Sequence, residues 1–174
     1  MLRLFVAAYP PPDLAASLLA HTAALNIPGA KPVAQDQLHL TLQFIGDTDP
    51  RDMNTVRESV ARSVSGLPPA VLRVERLQTM PPRRPHLIAA ILDPNPTISE
   101  LHRRLALRLA RNKEKSRPYL PHMTTARFRD TRQPEVKGHL NPAPEFTVTE
   151  VLLVRSVLKS SGAEHHVEAR FEFA

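Results

Sequence analysis

The 174-residue chain contains no cysteine. This absence excludes a disulfide framework, a thiolate nucleophile and any zinc site built on cysteine. Long hydrophobic runs are also missing, because no stretch approaches the roughly 20 apolar residues that a membrane-spanning helix needs. In the opening "MLRLFVAAYPPPD", proline ends the apolar run before it is long enough for a signal peptide. We therefore expect a cytoplasmic protein with no membrane partner.

Glycine is scarce, with five residues against eighteen prolines. No glycine-rich loop of the kind that cradles phosphates is present, which argues against the nucleotide-binding folds that depend on one. The prolines form short runs such as "YPPPD", "LPPA" and "MPPRRP". These runs separate secondary-structure elements rather than forming one long linker.

Basic residues outnumber acidic ones, 23 against 17, for a formal net charge of +6. Such a balance favours a polyanionic partner, although ordinary surface decoration is the alternative interpretation. The hydrophobic fraction of 42% is enough for a real core. From its length we expect residues 1–174 to form one domain, or one domain built from two lobes.

Hydrophobic periodicity predicts the order strand, helix, strand, helix, two strands, helix, three strands. The predicted strands cover residues 2–8, 37–45, 70–78, 86–92, 119–128, 146–157 and 166–173. The predicted helices cover residues 13–26, a segment that ends near residue 64, and residues 96–112. This mixed order differs from a doubly wound array and favours an α+β fold with antiparallel sheets.

Two strand-like segments, "QLHLTLQFIG" and "YLPHMTTARF", repeat the pattern His-x-Thr. It comprises His39 and Thr41 in the first segment and His122 and Thr124 in the second. Side chains two positions apart share one face of a strand. In the first segment the leucines of "LHLTL" take one face, which leaves imidazole and hydroxyl together on the other.

Two imidazoles and two hydroxyls in one cleft suit phosphodiester hydrolysis without a metal. A neutral imidazole accepts a proton from the attacking water, and a protonated one donates to the departing oxygen. Threonine hydroxyls hold the non-bridging phosphate oxygens as charge builds up. Two copies of His-x-Thr arise by chance in roughly one chain in ten of this composition, so the bare pattern is weak. A partly buried strand histidine bonded to its neighbour is the alternative.

Four longer segments carry a family resemblance: "RLFVAAYPP", "HLTLQFIG", "RPYLPHMTTARF" and "VLLVRSVLKSSGAEHHVEARFEF". Through them the chain resembles the 2H phosphoesterases, specifically the RNA 2′,3′-cyclic phosphodiesterases, also called 2′-5′ RNA ligases. The resemblance implies a bilobal α+β fold with two antiparallel sheets around a central cleft and helices outside. It implies hydrolysis of a terminal RNA 2′,3′-cyclic phosphate to a 2′-phosphate, without metal or cofactor, with 2′-5′ RNA ligation as the reverse reaction.

The resemblance also implies roles for the four motif residues. His39 becomes the general acid and His122 the general base, while Thr41 and Thr124 hold the phosphate. The expected partners are RNA ends that bear a 2′,3′-cyclic phosphate, or cyclic nucleotides. We expect a monomer.

The family uses a further residue five positions after each histidine, here Phe44 and Arg127. The first is expected to stack on a base and the second to pair with phosphate. Five is an odd offset, so strict alternation would place both on the face opposite their histidines. They reach the cleft only if each strand bulges, twists sharply or ends there. The alternatives are a core aromatic and a surface salt bridge.

The sequence departs from the family at two places. Thr125 stands where an aliphatic residue is usual, and "GAEHH" offers His165 or His166 where a tyrosine is common. Adjacent residues point to opposite sides of a strand, so these two histidines make a poor metal pair.

Two other functional classes remain open. A non-catalytic RNA-binding module predicts the loss of one of the four motif residues, and all four are present. A metal-dependent phosphatase or nuclease predicts clustered carboxylates or His-x-His near the motifs. The segment "DTDPRD" is better interpreted as a turn and the start of a helix.

Overall fold

The computed structural model of the chain describes residues 1–111, 118–133 and 135–174. These ranges contain three helices and ten strands. The helices are α1 (Pro12–Ala24), α2 (Met53–Val64) and α3 (Pro96–Leu109). The strands are β1 (Leu2–Ala8), β2 (Lys31–Pro32), β3 (Leu40–Thr48), β4 (Ala70–Met80), β5 (Leu87–Leu92), β6 (His122–Arg127), β7 (Lys137–His139), β8 (Glu145–Val148), β9 (Glu150–Lys159) and β10 (Gly162–Glu172).

The strands follow the order β10-β9-β1-β3-β6-β5-β4-β7, with β2 paired to β6 and β8 paired to β4. The pairings among them are antiparallel. In the middle of this order a single residue pair, Leu40 with Met123, joins β3 to β6. The sheet therefore consists of two halves that meet edge to edge, β10-β9-β1-β3 and β6-β5-β4-β7. The predicted α+β fold is confirmed.

Helix α3 buries one apolar stripe. On α3 the buried side chains are Ile98, Leu101 and Leu105. This helix begins where the Asn95 side chain accepts a hydrogen bond from the backbone N–H of Ile98 at 3.1 Å, with Pro96 in its first turn. No helix in the described ranges is long and apolar enough to cross a membrane.

Strand β1 is buried on both faces and separates two apolar clusters. Leu4 and Val6 belong to the main core beneath the helices. Phe5 and Ala7 belong to a smaller cluster on the other face, together with residues of β9. This second face is the one on which the candidate site lies.

The structure corrects several predicted boundaries. The predicted strands 119–128 and 166–173 are His122–Arg127 and Gly162–Glu172. The predicted strand 146–157 is two strands, because the chain leaves β4 after β8 and joins the other half-sheet as β9. The predicted strand 37–45 begins at Leu40, after a 3₁₀ turn at Gln35–Gln37, so His39 lies just before it. The helix predicted over 96–112 ends at Leu109, and residue 112 lies outside the described residues. The short strands β2 and β7 were not predicted.

Candidate active site

The pair of Leu40 and Met123 brings the two motifs together. Both side chains are fully buried in the core. Because side chains alternate along a strand, the sequence neighbours of both residues point to the opposite face. These neighbours are the motif residues His39, Thr41, His122 and Thr124.

A cavity of about 200 Å³ lies on that face, between the two halves of the sheet. It is lined by Val33, Gln37, His39, Thr41, His122, Thr124, Arg127, Ala163 and His165. Leu40 and Met123 pair in an antiparallel register, so the residue before one lies across from the residue after the other. The histidine of each motif therefore lies across from the threonine of the other. A cavity of about 440 Å³ between α1 and β2 is larger but has no histidine in its lining.

A bulge in β3 resolves the odd offset of the first motif. Leu42 has no partner on β1, because Thr41 and Gln43 pair with consecutive residues of that strand. The extra residue shifts the alternation by one, so Phe44 returns to the face of the histidine, where it pairs with Phe5. Its side chain is 51% exposed, so Phe44 is not a core aromatic.

A second bulge in β6 does the same for the other motif. Thr125 has no partner on β5, because Thr124 and Ala126 pair with consecutive residues there. Arg127 consequently lies on the cleft face and lines the cavity. It forms no ion pair with any described residue. One structural device, a single inserted residue, therefore explains the offset of five in both motifs.

Side chains from outside the motifs hold the first bulge. The Thr41 carbonyl accepts a hydrogen bond from the Tyr119 hydroxyl at 3.0 Å, and the Leu42 carbonyl accepts one from Nδ1 of His102 at 2.6 Å. The rings of Tyr119 and His102 stack at 4.0 Å. Because a bulge interrupts the ladder, these two donors satisfy carbonyls close to the point of interruption.

The second bulge is anchored by helix α1. Thr125 is fully buried, and its hydroxyl hydrogen-bonds the Thr22 hydroxyl at 2.8 Å and the Ile88 carbonyl at 3.2 Å. These bonds satisfy a hydroxyl that would otherwise be costly to bury. They explain how a threonine occupies a position where the family usually has an aliphatic residue.

The two motif histidines are held by the same kind of bond. Nδ1 of His39 donates to the Gln37 carbonyl at 2.6 Å, and Nδ1 of His122 donates to the Leu120 carbonyl at 2.9 Å. A carbonyl can only accept, so Nδ1 carries the hydrogen in both rings. In the neutral form Nε2 of each ring is therefore left with a free lone pair, the state of a proton acceptor.

Aromatic rings surround His39 on the side of β1 and β10. The distances between its ring centroid and those of Phe5, Tyr9 and His165 are 5.0, 5.5 and 5.2 Å. Burial lowers the pKa of His39 to about 4, and the hydrogen bond to Gln37 opposes that shift. The positive charges of nearby basic groups, His165 first among them, lower the pKa further. At neutral pH, His39 is therefore uncharged in the free protein.

Sequence reasoning missed four of these residues, namely Phe5, Tyr9, Gln37 and the cleft position of His165. A signal existed for the first two, because Phe5 and Ala7 of β1 and Tyr9 just after it continue one alternation and form a second apolar face with β9. No local pattern marks Gln37, which lies in a 3₁₀ turn. Among the described residues, no three histidine or acidic side chains cluster closely enough to hold a metal ion.

Two antiparallel half-sheets that meet at a cleft, each contributing one His-x-Thr motif, define the fold of the 2H phosphoesterases. Comparison with protein families agrees, since the model of the 2′-5′ RNA ligase superfamily matches residues 10–159. The chain belongs to this superfamily. No curated protein matches the chain in a sequence comparison.

Solved structures share the fold over nearly the whole chain. TT0787 of Thermus thermophilus is 27% identical, with a TM-score of 0.80 over 98% of this chain and 97% of that chain. Escherichia coli LigT complexed with 3′-AMP is 23% identical, with a TM-score of 0.82 over 99% and 98% of the two chains. The MHV ns2 PDE domain is more distant, at 15% identity and a TM-score of 0.50 over 85% and 98%.

Proposed function

We propose that the protein is an RNA 2′,3′-cyclic phosphodiesterase that converts a terminal 2′,3′-cyclic phosphate to a 2′-phosphate without a metal ion. The observation that carries the proposal is the pairing of His39 with His122. Both rings are tethered through Nδ1, and both line one cavity together with two threonine side chains. A phosphate group in that cavity would have one imidazole on each side.

In the proposed reaction His122 accepts a proton from water as the water oxygen attacks phosphorus. The bond from phosphorus to the ribose 3′-oxygen breaks, and His39 donates a proton to that oxygen. The products are a 2′-phosphomonoester and a free 3′-hydroxyl. Thr41 and Thr124 donate hydrogen bonds to the non-bridging oxygens, and Arg127 supplies positive charge at the cleft.

Other parts of the substrate would extend beyond the cavity. Phe44 is exposed on the cleft face and offers its ring to a nucleobase. The substrates are RNA ends with a cyclic phosphate, or cyclic nucleotides. When a 5′-hydroxyl replaces water as the nucleophile, it loses its proton to His122, the bond to the 3′-oxygen breaks in the same way, and two ends are joined through a 2′-5′ bond. Water at its bulk concentration favours hydrolysis.

The low pKa of His39 constrains its role as the acid. An uncharged imidazole has no proton to give from Nε2, so His39 must gain one when the substrate binds. The phosphodiester brings a negative charge next to the ring and replaces part of the lost hydration, and both effects favour the imidazolium. His39 therefore takes up its proton together with the substrate.

Solved structures with this fold support a phosphate or nucleotide ligand. Escherichia coli LigT has been solved with phosphate, and separately with 3′-AMP, ATP and NADP+. The MHV ns2 neighbour is described as a PDE domain. Membership of the 2′-5′ RNA ligase superfamily supports an RNA end as the natural substrate.

The test uses purified protein and a short oligonucleotide that ends in a 2′,3′-cyclic phosphate, in excess chelator. We expect turnover to a product whose phosphate is on the 2′ position, and no turnover by His39→Ala. A lack of turnover by the unmodified protein, or turnover abolished by the chelator, would refute the proposal. Binding of the oligonucleotide without turnover would favour the alternative, a non-catalytic RNA-binding module.

A further inference from the structure

We propose that His165 is a third histidine of the site, one that donates a hydrogen bond from Nε2–H to a phosphate oxygen of the substrate. This inference rests on the proposed function for the identity of the substrate. It concerns a residue outside both His-x-Thr motifs, on strand β10.

The position of His165 supports contact with the substrate. The residue is partly buried and lines the same cavity as the motif histidines and threonines. Its ring meets His39 edge to face, with centroids 5.2 Å apart and an angle of 78° between the planes. It also packs against Phe5, with centroids 5.1 Å apart. A phosphate that touches His39 would therefore lie beside His165 as well.

The contact with Tyr9 bears on which nitrogen of the His165 ring carries the hydrogen. Its hydroxyl lies 3.4 Å from Nδ1 of His165, and no other partner of this hydroxyl is found in the described part of the chain. Burial raises the pKa of Tyr9 to about 12, and the negative charge of Asp36 adds to that shift, so the hydroxyl keeps its hydrogen. We assign Tyr9 as the donor of this bond, which leaves the hydrogen of a neutral imidazole on Nε2.

His165 therefore complements the two motif histidines. They carry hydrogen on Nδ1 and offer a lone pair at Nε2, while His165 offers a hydrogen at Nε2. An uncharged donor can bind a phosphate oxygen at neutral pH without first taking up a proton. Burial lowers the pKa of His165, partly offset by the charge of Asp36, so the neutral form is favoured.

Gln37 fixes the distance between His165 and His39. Its backbone carbonyl accepts the hydrogen bond from His39, and its side-chain amide donates to the carbonyl of Ala163 on β10. Ala163 is two residues before His165 and also lines the cavity. Gln37 thus connects the first motif to β10, the strand on which His165 lies.

His166 provides a matched control. It is adjacent in sequence and exposed, is absent from the cavity lining, and lies 3.5 Å from the Glu164 carboxylate. Replacing it with glutamine changes the same residue type on the same strand, on the side away from the cleft.

The activity test compares His165→Phe, His165→Gln and His166→Gln on an oligonucleotide with a terminal 2′,3′-cyclic phosphate. Phenylalanine keeps the ring packing but has no donor, and we expect kcat/KM to fall roughly 10- to 100-fold, as for the loss of one hydrogen bond to a charged group. Glutamine can place its amide nitrogen near the position of Nε2, so most activity should return. His166→Gln should behave as the unmodified protein.

If His165→Phe retains full activity while His39→Ala is inactive, the role of His165 is refuted and the proposed function stands. A second measurement needs neither turnover nor a variant: the ¹⁵N resonances of the histidine rings, recorded with and without inorganic phosphate. We expect His165 in the Nε2–H form, with a shift of its ring resonances when phosphate binds. An Nδ1–H form, or a response of His39 without one of His165, would overturn the inference.

Discussion

His39 and His122 make the same hydrogen bond in different surroundings. Each ring donates from Nδ1 to the carbonyl two residues earlier in the chain. His39, however, packs against three aromatic rings from β1, the following turn and β10. No corresponding aromatic contact of His122 is found among the described residues. The difference between the two rings therefore comes from strands outside the motifs.

Removing either histidine should abolish most activity. We expect His39→Ala and His122→Ala to lower kcat by roughly 10²–10⁴, the range typical of a positioned acid or base. Thr41→Ala should retain measurable activity, because it removes one hydrogen bond rather than a proton transfer. Rates of cyclic phosphate opening measured under saturating substrate give the comparison. Equal and mild effects of all three changes would contradict this division of roles.

Phosphate should raise the pKa of His39. The value of about 4 results mainly from burial and partly from nearby positive charges. An anion in the cavity counteracts both causes, so the pKa should move upward when inorganic phosphate is added. The measurement is a pH titration of the ring resonances, with His21, which is exposed on α1, as an internal control. An unchanged pKa would exclude His39 as the acid and assign it the role of base.

Burial of His39 should also reduce stability at acid pH. The pKa is about 4 in the folded protein, against the ordinary 6.5 in the unfolded chain. Between these values the unfolded chain binds more protons, so the free energy of unfolding decreases as the pH falls from about 6.5 to about 4. The loss from this group is at most about 3 kcal/mol.

Urea unfolding at several pH values, for the unmodified protein and His39→Gln, isolates this contribution. The free energy of unfolding of the variant should depend less on pH in that window, because glutamine does not titrate. Carboxylates contribute equally to both proteins and cancel in the difference. Parallel curves would mean that the histidine is not desolvated as the structure indicates.

Alternation along the first strand was enough to predict the face on which His39 and Thr41 lie. The leucines of "LHLTL" point to the core and His39 and Thr41 to the opposite face, as the period of two requires. Hydrophobic periodicity likewise predicted the helices α2 and α3. These features follow from local periodicity alone, so they can be predicted from a single sequence.

The bulges and the aromatic surroundings were not predictable in the same way. Whether Leu42 or Thr125 is the unpaired residue depends on the register with β1 or β5, which local sequence does not specify. The contact between His39 and His165 depends on the order of strands in the sheet, since 126 residues separate them in the chain. The break at Thr149 likewise follows from a change of partner strand rather than from a turn signal.

The buried pair of Thr22 and Thr125 should couple helix α1 to the second bulge. Its hydroxyls are 2.8 Å apart, and both residues are buried. We expect Thr22→Val and Thr125→Val each to lower the free energy of unfolding by about 1 kcal/mol, because each removes the buried hydrogen bond between the two hydroxyls. In the double variant the losses should not add, with an interaction energy of at least about 0.5 kcal/mol. Additive losses would show that the two hydroxyls act independently.

Phe44 offers a direct test of base stacking. Its ring is half-exposed, lies nearly parallel to Phe5 at 6.4 Å, and has the guanidinium of Arg3 5.3 Å from its centroid. If a nucleobase stacks on this ring, Phe44→Leu should raise KM for a cyclic phosphate oligonucleotide roughly 5- to 100-fold, with a smaller effect on kcat. Phe44→Tyr keeps the aromatic face and should restore KM.

The matched substrate is the same oligonucleotide without the base of its terminal nucleotide. A ring that acts through stacking has nothing to bind there, so Phe44→Leu and the unmodified protein should then have similar KM values. The phosphate chemistry is unchanged between the two substrates, so a general distortion of the cleft would impair both. An equal loss on both substrates would therefore show that Phe44 supports the shape of β3 beside Phe5 rather than binding a base.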